Sequence, residues 1–77
     1  MTLKPAAAVE VGDVIRVFEE HEVAVSLKYE HHHHGERFSH VHLEFDSPVP
    51  VDMFHSTIWP SQIIREPYDM VEVTSEV

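Results

Sequence analysis

Apolar and polar residues alternate through the middle of this chain with a period of two, and that pattern limits the fold more than any other feature. Val23, Val25, Leu27 and Tyr29 interleave with Ala24, Ser26, Lys28 and Glu30; further on, Val41, Leu43 and Phe45 interleave with His40, His42 and Glu44. Successive side chains on a β-strand point to opposite faces, so each run reads as a strand with one apolar and one wet face. No stretch carries the 3.6-residue period long enough for a substantial helix. Between the runs lies His34-Gly35-Glu36, where glycine supplies the backbone freedom of a tight connection. A hairpin centred on Gly35 sets Tyr29 opposite Val41, Leu27 opposite Leu43 and Val25 opposite Phe45. A slip of one residue would drive one apolar set into water, whereas a slip of two would match the faces equally well.

The flanks add shorter elements. Val11-Gly12-Asp13 reads as a turn into a strand at 14–18, and Glu19-Glu20-His21-Glu22 as the next connection. The prolines of Asp46-Ser47-Pro48-Val49-Pro50 break the pattern before a short strand at 51–54. At most one helical turn, capped by Ser56, fits residues 56–62. A closing strand at 68–73 would point Val71 and Val73 inward. The expectation is a mainly all-β single domain over residues 1–77, with residues 1–8 as a flexible N-terminal arm. Its architecture would be a small five-stranded antiparallel barrel or a strongly bent sheet. The layout of Gly12-Asp13-Val14-Ile15-Arg16-Val17, the strand and turn Val41-His42-Leu43-Glu44-Phe45-Asp46, and Ser56-Thr57-Ile58-Trp59-Pro60 before a last strand resembles SH3-like small barrels. It is similar in particular to short barrel proteins of bacteria and their phages. That resemblance implies a binding scaffold and carries over no catalytic residue.

A chain of 77 residues has room for one core, which at this size supplies only about 3–5 kcal/mol. There are no cysteines, so disulfides and thiolate chemistry are excluded. The net charge of −9 is spread along the chain, and the five Lys and Arg residues form no stripe, which argues against nucleic acid as a partner. No window approaches a membrane span, and residues 1–10 lack a secretory signal. A cytoplasmic protein without a membrane partner is therefore expected. Its acidity favours a protein partner with a basic surface, and its size favours association with further copies of itself. Protonating all eight histidines would bring the charge from −9 to about −1.

The histidines carry the clearest chemical signal. His31-His32-His33-His34 precedes His40-Val41-His42, and residues two apart on a strand share a face. In the Gly35-centred register Glu30 and His32 would stand beside His40 and His42, a donor set for a divalent transition metal of the zinc or nickel type. The alternative is a row of solvated imidazoles on a wet hairpin face. No metal or other cofactor is required by anything else in the chain. With no nucleophile motif and no phosphate loop, no catalytic activity is expected. Phe38 and Trp59 are the candidate partner contacts. Trp59 could equally pack in the core, and Phe38, which falls on the histidine face, either meets a partner or marks a wrong register.

Overall fold

The computed structural model describes residues 2–32 and 39–77. Its strands are β1 (Thr2–Pro5), β2 (Val14–Val17), β3 (His21–His32), β4 (Ser39–Phe45), β5 (Val51–Met53), β6 (Ser56–Ile58), β7 (Gln62–Arg65) and β8 (Met70–Ser75). A single 3-10 turn, Ala6–Ala8, follows β1. Six strands form one antiparallel sheet in the order β1-β8-β2-β3-β4-β7, and β5 pairs with β6 in a separate two-stranded sheet. The all-β expectation holds. The five-stranded barrel does not, because β1 and β7 end the sheet without pairing to each other and it stays open. Two further corrections follow from the same pairings: residues 56–62 contain strand β6 and the start of β7 rather than a helical turn, and the last strand begins at Met70.

One face of the large sheet is the core. Ile15, Val17, Val25, Val41, Leu43, Phe45, Ile63, Val71 and Val73 all point into it, and Ala6, Val9 and Val49 complete the same cluster. No α-helix covers this face among the described residues; Ala6 and Val9 of the segment after β1, together with Val49, pack onto it. Of residues 1–8, the described part, residues 2–8, is packed onto the sheet and does not form the expected flexible arm. Thr2–Pro5 pairs along β8, the Ala6 and Ala7 amides donate to the carbonyls of Asp69 and Pro67, and Ala6 and Val9 are fully buried.

Asp13 is the one buried charged residue among those described. Its carboxylate accepts the amides of Glu10 (3.0 Å) and Val77 (3.0 Å) and the Lys4 ammonium (3.3 Å). The turn before Asp13, strand β1 and the stretch after β8 thus close on one side chain. Burial by itself would raise the carboxyl pKa, but the two backbone donors and Lys4 together hold it below the usual carboxylate range. Gly12 makes the turn at φ +101°, where a Cβ would stand 2.9 Å from the Val77 side chain.

The β3–β4 pairing positions the candidate site. Val25 faces Phe45, as the alternation predicts, but a bulge between Val25 and Leu27 then shifts the register by one. Beyond it Leu27 faces Glu44, Lys28 faces Leu43, Tyr29 faces His42, Glu30 faces Val41, His31 faces His40 and His32 faces Ser39. The Ser26 hydroxyl donates to the Glu44 carbonyl at 3.2 Å and so bonds across the irregularity. From Leu27 onward the odd-numbered side chains of β3 are outside and the even-numbered ones inside, the reverse of the expected arrangement. On the inner side the Lys28 ammonium donates to the Ala7 carbonyl. The connection at Gly35 lies outside the described residues.

Candidate functional site

On the outer face of β3, β4 and β7 the bulge creates a surface that alternation alone does not reveal. Leu27 and Tyr29 are nearly half exposed there, as is Ile64 on β7. His42 stands between Tyr29 on one neighbouring strand and Ile64 on the other. The Tyr29 ring stacks on the His42 imidazole at 4.5 Å and 11°. His31 approaches the same imidazole edge-on, with ring centres 6.3 Å apart. Together Tyr29, His31, His40, His42 and Ile64 line a shallow, mostly apolar recess of about 390 Å³. The recess sits on a rigid three-strand platform. Its His42 Nδ1 is buried without a hydrogen-bond partner among the described residues.

The four residues expected to gather around a metal do not share this face. His40 and His42 are on it, while Glu30 and His32 alternate with Tyr29 and His31 and so project to the other side. There the His32 imidazole stands 3.9 Å from the Glu30 carboxylate, both in contact with solvent. The bulge is the physical reason, because one extra residue in β3 exchanges its faces while those of β4 stay put. Phe38 lies outside the described residues. Trp59 is 62% exposed, so it is not a core residue, and it sits between β6 and β7 rather than on the recess.

Tyr29, His31 and Ile64 escape a reading by alternation. Tyr29 is assigned to the core by its period, His31 to the opposite face by its number, and Ile64 stands beside Ile63 with nothing to say which of the two is buried. The one available signal is Lys28, whose long stem can cover apolar surface as Leu27 would. The most exposed aromatic among the described residues is Phe54, at the β5–β6 turn with φ 54° and 98% exposed. It stands apart from the recess. No family model, no curated protein and no solved structure matches this chain.

Proposed function

We propose that the chain is a non-catalytic protein-binding module whose docking surface is the outer face of β3, β4 and β7. One observation carries the reading: the bulge turns Leu27 and Tyr29 out of the core and sets them beside His42 and Ile64 as an exposed apolar surface. Large apolar side chains gathered on a rigid, exposed sheet mark interaction surfaces in small proteins. Tyrosine is among the commonest anchors of such surfaces, with a broad ring and little conformational freedom to lose. The partner would be a protein with a basic rim, since a charge of −9 attracts such a surface and speeds encounter.

The test compares two baits, the unaltered chain and a Tyr29→Asp/Ile64→Asp variant whose circular dichroism melt shows that it folds. Both substitutions sit on the exposed face and leave the core intact. A protein retained by the first bait, lost by the second and released as salt rises from about 50 to 500 mM, where charge attraction is screened, supports the proposal. Equal retention by both baits removes this face from consideration.

A further inference from the structure

The two open ends of the large sheet are unequal. Hydrogen-bonded pairs alternate along an antiparallel ladder. The Phe45 amide donates to the Ser61 carbonyl (2.9 Å), which makes these two such a pair, and the register makes Leu43–Ile63 and Val41–Arg65 the next ones. Gln62 and Ile64, lying between, turn both N–H and C=O away from β4 toward the open edge. Both residues are exposed. Among the described residues nothing pairs with the Gln62 backbone or the Ile64 amide, and the Ile64 carbonyl accepts the guanidinium of its own neighbour Arg65 (2.9 Å). At the other end of the sheet, the Ala6 amide bonds to the Asp69 carbonyl, so the same alternation leaves Leu3 and Pro5 of β1 facing out. Pro5 has no N–H to offer, which blunts that edge. β7 has no proline, and its ladder to β4 runs without a bulge.

We propose that β7 pairs with β7 of a second copy, antiparallel about a two-fold axis at Ile63, so that the two open sheets join into one. In that register Gln62 of each copy stands opposite Ile64 of the other, and each such pair exchanges N–H and C=O in both directions. The pattern is self-complementary, as a two-fold contact requires. Sliding the strands to set Ile64 opposite Ile64 would bring Gln62 against Glu66, whose amide already donates to the Asp69 carboxylate (3.1 Å). Sliding them the other way would set Ile64 against Pro60, which has no N–H. The faces agree as well: Ile63 meets Ile63 on the core side, a β-branched pair at the closer of the two cross-strand spacings. Charge permits the contact here, since β7 carries one arginine and no carboxylate in a chain of net charge −9. A strand of four residues buries little area, so the dimer is a weak one.

Sedimentation velocity of the full chain at about pH 8, where the histidines are neutral, tests the pairing. The average sedimentation coefficient should climb toward that of a dimer as the concentration goes from about 10 to 500 µM, the range that weak association requires. It should climb further with added salt, which screens the repulsion between two acidic copies. Ile64→Pro removes one outward amide and no bond to β4, so it should stay monomeric while its circular dichroism melt shows a folded chain. Tyr29→Asp, on the docking face but off the edge, should dimerise as the unaltered chain does, so the pairing and the docking face fail separately. Hydrogen exchange followed by NMR on the unaltered chain is the second measurement, needed if Ile64→Pro does not fold. The Gln62 and Ile64 amides should slow in proportion to the monomer lost, and the Leu3 amide should not. A chain that stays monomeric overturns the proposal and leaves the edge to a strand of another protein. A dimer that persists in folded Ile64→Pro, or that leaves the Gln62 and Ile64 amides unprotected, overturns it too.

Discussion

Asp13 shows how much a marginal domain can place on one side chain. Its carboxylate joins Lys4 of β1, the Glu10 turn and the amide of Val77, all in a fully buried position. Asparagine would turn an NH2 donor toward one of the two backbone amides that now find an acceptor, a loss of about 1–3 kcal/mol against the roughly 3–5 kcal/mol that a core of this size provides. Asp13→Asn should therefore lower the melting temperature by about 10–20 °C or abolish folding, as followed by circular dichroism. The pH dependence has a definite sign. A carboxyl held below its ordinary value stabilises the fold above the unfolded pKa of about 3.9 and loses that contribution as pH falls through the folded value. Melting curves of the unaltered chain and of Asp13→Asn should thus converge below about pH 4, where an unfolded-state aspartate is itself protonated, and a gap that stays constant down to pH 2 would refute the role. Glycine followed by aspartate was legible as a turn; that the aspartate is buried was not, because two of its three donors come from stretches remote in sequence.

At the level of elements, the two features that matter most are the bulge in β3 and the docked segment after β1. If Thr2–Pro5 and the Ala6–Ala8 turn are structural, deleting residues 2–8 strips β8 of a neighbour and opens the core at Ala6. Loss of cooperative unfolding is the expected result, and a truncated chain that melts like the full one would restore the flexible arm. The bulge predicts a difference between two lysine substitutions. Leu27→Lys should cost under about 1 kcal/mol, as surface changes do, because Leu27 is already outside. Leu43→Lys should prevent folding, since Leu43 is fully buried. Under the unbroken register the two would be equally damaging, which a pair of denaturant titrations can decide. Period-two alternation located β4 to the residue but only the middle of β3, which starts at His21, inside the stretch expected to be a connection, and runs to His32. The same reading placed β5 at 51–54 but missed β1, β6 and β7, where the runs are three or four residues long and carry a proline or mixed polarity.

For the molecule as a whole, charge governs behaviour in solution. Acidification protonates histidines and brings the net charge from −9 toward about −1, so repulsion between copies fades. Light scattering between pH 8 and pH 5 should therefore show rising self-association; a constant scattering mass would count against it. The fold as a whole was partly legible in advance. The all-β class, the inward-facing Val41, Leu43, Phe45, Val71 and Val73, and the Val25–Phe45 pairing were all written in local patterning, because strand period and burial are properties of a few neighbouring residues. The face taken by Leu27, Tyr29 and His31, and hence the composition of the candidate site, was decided by tertiary structure. A β-bulge leaves the alternation of residue types untouched while reversing which side of the sheet they occupy. On the inner face Lys28 reaches the Ala7 carbonyl while Ala6 and Val9 fill the core, contacts with a stretch remote from β3 in sequence that no local pattern records.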